Sequence, residues 1–176
     1  MGCPPRQAVT LPTTFKKRYC EYRGCCRICA VFMKGSVVMS GPAVFGKNPY
    51  VAKSDVTGRV VAVLRGVTDQ RGLYLTAFRS RAVPAGDIHE LMITDEDCDV
   101  ETTVNRVALI AFFEVLNGGV VLLDDAVTIG ERVIGTVVGF DETHMPNHQN
   151  ICLSGERRDG ESIEIGVGDP VRISRG

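Results

Sequence analysis

From Thr57 onward, short β-branched and aliphatic runs alternate with polar, glycine-containing turns, which is the pattern of strands. Val60-Val61-Ala62-Val63-Leu64 precedes the polar turn Thr68-Asp69-Gln70-Arg71-Gly72. Leu73, Leu75 and Ala77 then alternate with Tyr74, Thr76 and Phe78, and the two runs are predicted to form a hairpin. Pro84-Ala85-Gly86-Asp87 is a second turn, and 88–93 a third strand. The acidic stretch 95–104 is predicted to hold little structure beyond one helical turn. The run 106–116 is long enough for either a strand or a buried helix. A strand is favoured because Asn117-Gly118-Gly119 is a tight-turn signal and the apolar run 120–123 follows at once. Further strands are expected at 127–129, 133–140, 151–153, 163–165 and 171–173. Eight to ten short strands without a long amphipathic helix imply an all-β fold, and a small antiparallel barrel is preferred because closure removes exposed edges.

Residues 1–55 lack this periodicity. Pro4, Pro5 and Pro12 interrupt their beginning, and Gly35, Gly41, Pro42, Gly46 and Pro49 their end. Charge divides the chain at the same place. Nine Lys or Arg stand against Glu21 and Asp55 in 1–55, about +7, whereas eleven Arg stand against nineteen Asp or Glu in 56–176, about −8. The expected organisation is therefore a basic, Cys-rich, poorly ordered and flexible extension over 1–55, joined to a β-barrel domain over 56–176. Met33 and Met39 lie just before the shift, and either is an expected alternative initiator.

Cysteine usage follows the division, with Cys3, Cys20, Cys25, Cys26 and Cys29 in the first part and Cys98 and Cys152 in the second. An odd total without a paired pattern argues against a disulfide framework and for a reducing, cytoplasmic setting. No membrane association is expected, because the apolar run 28–45 is broken by Lys34, Gly35, Gly41 and Pro42. A secretory leader beginning at Lys16-Lys17-Arg18 would have an apolar core of only 28–33. Cys20, Cys25, Cys26 and Cys29 are candidate thiolate ligands for zinc or an iron–sulfur cluster, although a second spaced pair is missing.

Within the domain, chemically able side chains concentrate in 139–150, between two expected strands. Asp141, Glu142, His144, Asn147, His148 and Asn150 are the candidate ligand-binding residues, carried on a loop above a rigid scaffold. Asp141, His144 and His148 could hold a divalent transition metal, with Glu142 free as a general base. Pro146 works against a helical His-x3-His arrangement, so the expected site is a loop site. His89 gains interest only if the fold brings it near His144. Its neighbour Glu90 should point to the opposite face of the strand. Asp95-Glu96-Asp97-Cys98-Asp99 imitates the start of a calcium loop, but Val100 and Arg106 occupy the positions that need glycine and glutamate. There is no nucleophile elbow, phosphate loop or dinucleotide fingerprint. The acidic domain has no Trp and no Lys, which argues against a nucleic-acid partner.

The segments 60–65, 89–97 and 135–151, the last containing Gly-Phe-Asp-Glu-Thr-His-Met-Pro-Asn-His-Gln-Asn, resemble a family of uncharacterised prokaryotic proteins of about this domain length. The resemblance covers most of 56–176, none of 1–55, and implies no activity. Gly135-Thr136-Val137-Val138-Gly139 and Asn147-His148 loosely resemble the glucitol/sorbitol phosphotransferase IIA component, also a small β-barrel, though the order around the histidine differs. That likeness would imply phosphoryl transfer through a histidine, and no residue is carried over from it. Three functions follow in order of expectation: a non-catalytic binding or assembly module for a small molecule or protein, a metal-binding protein or metal-dependent enzyme, and a histidine phosphocarrier. Self-association into a homo-oligomer is compatible with the first.

Overall fold

The computed structural model describes residues 50–176. The expectations for residues 1–49 lie outside the described residues: the flexible extension, the ligands Cys20, Cys25, Cys26 and Cys29, and initiation at Met33 or Met39. Among the described residues there are twelve strands. In chain order they are β1 (Val56–Val63), β2 (Val67–Thr68), β3 (Leu73–Tyr74), β4 (Ser80–Val83), β5 (Ile88–Thr94), β6 (Thr103–Val104), β7 (Val107–Asn117), β8 (Gly119–Leu122), β9 (Ala126–Ile129), β10 (Arg132–Asp141), β11 (Gln149–Ser154) and β12 (Pro170–Ser174). The fold is all-β, as the pattern of short apolar runs requires.

Pairing runs from β1 to β12, β9, β10, β11, β5 and β7, and β7 pairs back onto β1. The seven strands therefore form a ring of pairings, a sheet that bends back onto its own first strand. One joint departs from the expected antiparallel plan: β5 and β11 are parallel, with His89 opposite Gln149 and Glu90 opposite Asn150.

Side-chain alternation divides the apolar residues into two layers. Leu91, Ile93, Phe113, Phe140, Ile151 and Leu153 belong to the main core. The interleaved Met92 and Cys152 instead pack with Leu73, Leu75, Val104 and Val107 in a second cluster on the other face. The β3–β6 ribbon supplies Leu73 and Val104 to that cluster. This is why 91–93 and 151–153 read as continuous apolar runs: both faces are covered there. Cys152 acts here as a small hydrophobe, and burial pushes its thiol far above the ordinary range. Residues 50–55 are tied to the same unit. Lys53 Nζ lies 2.9 Å from Asp125, and Arg175 donates to the Val51 carbonyl at 2.8 Å.

Four local expectations are corrected. The runs at 60–64 and 73–78 do not form a hairpin, since β1 pairs with β7 and β12 while β3 pairs with β6. Asn117-Gly118-Gly119 does not reverse the chain onto β7, because β8 leaves for β4. A Cβ at Gly118 would stand 2.6 Å from the Val83 carbonyl oxygen, so glycine serves close backbone approach here. No helical turn forms in 95–104, where Glu96 instead accepts the Arg106 amide at 2.7 Å. The 163–165 segment is a turn rather than a strand, built on Asp159, whose carboxylate accepts the Ser162 amide at 2.9 Å.

Candidate functional site

The parallel joint assembles a row of side chains across four neighbouring strands. Asp141 on β10 is paired with Asn150 on β11, Asn150 with Glu90 on β5, and Glu90 with Phe112 on β7. Alternation places Glu90 and Asn150 on the face of Met92 and Cys152, away from the main core. Glu90 is 5% exposed and Asn150 fully buried, so two polar groups are held where polar groups need partners.

The loop 142–148 folds over this row. Two successive turns shape it: the Met145 amide donates to the Glu142 carbonyl at 3.0 Å, and the Asn147 amide to the His144 carbonyl at 2.9 Å. Asp141 anchors its start, accepting from the Thr143 amide at 3.1 Å, the Thr143 hydroxyl at 2.8 Å and the Asn150 amide at 2.8 Å. The loop thereby delivers both histidines to Glu90. His148 Nε2 lies 3.2 Å and His144 Nδ1 3.9 Å from the same oxygen, Glu90 Oε2. One donor atom from each of the three residues lies within 4.8 Å of the other two. The imidazoles approach to 4.8 Å between centroids, and the rings of His148 and Phe112 meet at right angles with centroids 4.9 Å apart.

The expected ligand residues are thus distributed over several roles. His144 and His148 come together. The carboxylate beside them is Glu90, whereas Asp141 is engaged by two donors of its own loop and the Asn150 side-chain amide. Glu142 forms an ion pair with Arg81. Asn147 Nδ2 lies 3.1 Å from His148 Nδ1, and Asn150 Nδ2 lies 3.5 Å from His144 Nδ1, so each asparagine orients one imidazole. Glu90 was not among the residues singled out by the sequence. Its signal there is faint: a carboxylate inside the apolar run 88–93.

His89 stands on the core side of β5, its ring 5.9 Å from that of Phe113 and outside the Glu90–His144–His148 group. Burial pulls its pKa below the usual histidine value, while Asp87 and the Gln149 backbone act in the opposite direction. His89 and its strand partner Gln149 line a cleft of about 410 Å³, together with His148, Ile88 and Met145. The cleft and the three-residue group therefore share His148.

Among the described residues there is no helix long and apolar enough to cross a membrane. No match was found among curated proteins or among solved structures. A family model does match, over residues 50–174, which include the whole ring of strands and the loop 142–148. The chain accordingly belongs to DUF6917, a family of unknown function.

Proposed function

We propose that this domain is a metal-organised binding module that holds one divalent transition-metal ion through Glu90, His144 and His148. The observation that carries the reading is the convergence of two imidazole nitrogens on one carboxylate oxygen, at 3.2 and 3.9 Å. Two ligand atoms about 2.1 Å from a tetrahedral ion are roughly 3.4 Å apart, so these separations bracket the required value. Two histidines and one carboxylate suit zinc, or iron(II) in a more open geometry, and leave coordination positions for water or a ligand.

The surroundings fit an ion as well. Asn150 Oδ1 is buried without a donor, and a metal-bound water would supply one. With Nε2 of His148 on the metal, its Nδ1 carries the proton, and the Asn147 amide can turn its oxygen toward it. Asp141 has a positioning role, holding Thr143 and Asn150 so that the loop stays closed over Glu90. The free thiols Cys98 and Cys152 suit a reducing, cytoplasmic setting. A phosphocarrier reading has less support. The His148 side chain is 11% exposed and faces the Glu90 carboxylate, which would repel an incoming phosphoryl group.

The test is zinc titration of the chelator-stripped full chain, followed by elemental analysis, beside a His144→Ala/His148→Ala double variant. One equivalent fewer in the folded variant supports the reading, and equal content refutes it.

A further inference from the structure

We infer that the domain carries a second site, a cleft that takes a monocarboxylate with a short hydrocarbon tail, its head on Arg132 and Arg158 and its tail against Val133, Ile134 and Ile163. This site is independent of the metal reading. The loop 142–148 precedes β11, whereas Glu156 and Arg158 follow it, at the other end of the strand. Gly155 starts the segment that walls the cleft. Its amide donates to the Thr94 carbonyl at 3.0 Å, and a Cβ there would stand 2.8 Å from Ile93 Cδ1 and 2.9 Å from the Ile134 carbonyl oxygen. The chain therefore leaves β11 hard against both neighbours. Ile93 and Ile110 of the main core lie at the base of the cleft. Above them the half-buried Ile134 and Ile163 offer apolar surface, and Val133, 74% exposed, carries it out to the mouth.

The mouth supplies the charge. Arg132 donates to the Ile163 carbonyl and Arg158 to the Ser162 carbonyl, so neighbouring carbonyls anchor two exposed guanidiniums at the rim. Carboxylates neutralise them only loosely: Glu164 lies 3.5 Å from Arg132 and Glu156 3.9 Å from Arg158, with side chains 82% and 81% exposed. By contrast, Arg106 meets Asp95 at 2.6 Å and Arg172 meets Asp55 at 2.5 Å. A guanidinium presents five N–H groups in a fork that matches a carboxylate, so a ligand head can take the place of the two mobile glutamates. A single negative charge suits a rim that also holds Glu156, and the apolar lining behind it calls for hydrocarbon. The cleft has a volume of about 260 Å³. At about 30 Å³ for each atom-sized unit, water's share of its own liquid, that space holds roughly eight or nine non-hydrogen atoms, the size of a six-carbon acid.

The experiment follows the isoleucine methyl signals of the full chain by NMR during titration with hexanoate, butyrate, 1-hexanol, hexylamine and inorganic phosphate. Hexanoate should shift the Ile134 and Ile163 signals saturably and bind at least tenfold tighter than each other probe. The margin over butyrate follows from about fourfold per buried CH₂, and that over the alcohol from the charged head. Arg132→Gln/Arg158→Gln should weaken hexanoate at least tenfold and leave 1-hexanol unchanged. Arginines that only strap the segment 156–163 would instead affect both probes alike. Glu156→Gln removes the competing carboxylate from the rim and should tighten hexanoate at least twofold. The inference falls if hexanoate leaves the two signals unmoved, binds no better than 1-hexanol, or is indifferent to loss of both arginines. Should the double variant fail to fold, the ranking of the five probes and the response to Glu156→Gln decide the matter.

Discussion

Glu90 and Asn150 are partners across the parallel joint of β5 and β11, and both meet the histidines of the loop 142–148. Glu90 receives His148 at 3.2 Å, while Asn150 donates to Asp141 at 2.8 Å and lies 3.5 Å from His144. A slip of one residue in this register would turn the side chains of the slipped strand to the other face and leave Glu90 and Asn150 on opposite sides of the sheet. The same pairing therefore fixes the sheet and sets the spacing of the three candidate metal ligands.

Glu90→Gln keeps the shape of the side chain and removes its charge. Because the carboxylate stands between two imidazoles, the substitution should lower zinc affinity by more than roughly tenfold while the domain stays folded. Competition with a chromophoric chelator measures this. Unchanged affinity would remove Glu90 from the ligand set.

Asp141→Ala separates positioning from ligation. It leaves the buried Asn150 amide without its acceptor, at a cost of about 1–3 kcal/mol in urea unfolding. As an outer partner of the site it should also weaken zinc binding by roughly 10–100-fold without changing the stoichiometry. Loss of a whole equivalent would instead make Asp141 a ligand.

Gly160 lies where two parts of the chain meet closely. A Cβ there would stand 2.0 Å from the Ile110 carbonyl oxygen and 2.9 Å from that of Leu64, both backbone atoms that cannot rotate aside. Gly160→Ala should therefore destabilise the domain by about 3 kcal/mol, near the upper end of the overpacking range. A thermal melt within a degree of the unaltered protein would contradict the close approach.

Acid stability should depend on Asp159. Hydrogen bonds from the Ser162 side chain and amide, then the Gly66 amide, hold its carboxyl below the ordinary value of 3.8. A depressed folded pKa contributes stability that is complete above the unfolded value and is lost as pH falls through the folded one. Asp159→Asn should therefore flatten the fall in melting temperature below about pH 4. An identical acid limb in the two proteins would rule this contribution out.

Much of the fold was legible because strand runs are local signals. The runs 60–64, 88–93, 106–116, 133–140, 151–153 and 171–173 all coincide with strands. Partner choice was not local. β1 finds β7 and β12 far along the chain, and Gly118, in a glycine pair that looked like a reversal, instead admits the Val83 and Ala85 backbone. The site divided in the same way. His144 and His148 stood out because they share a short polar loop. Glu90 lies 54 residues before His144 in an apolar strand, and only the parallel register brings it to them.

The most direct test is zinc content of the full chain with Cys20, Cys25, Cys26 and Cys29 replaced by serine, which removes the thiolates as a competing source. After zinc loading and desalting, one equivalent per chain should remain, and a further His144→Ala/His148→Ala substitution should abolish it without loss of the far-UV signal. Retention of no zinc by the first protein, or of the same amount by both, would contradict the metal site.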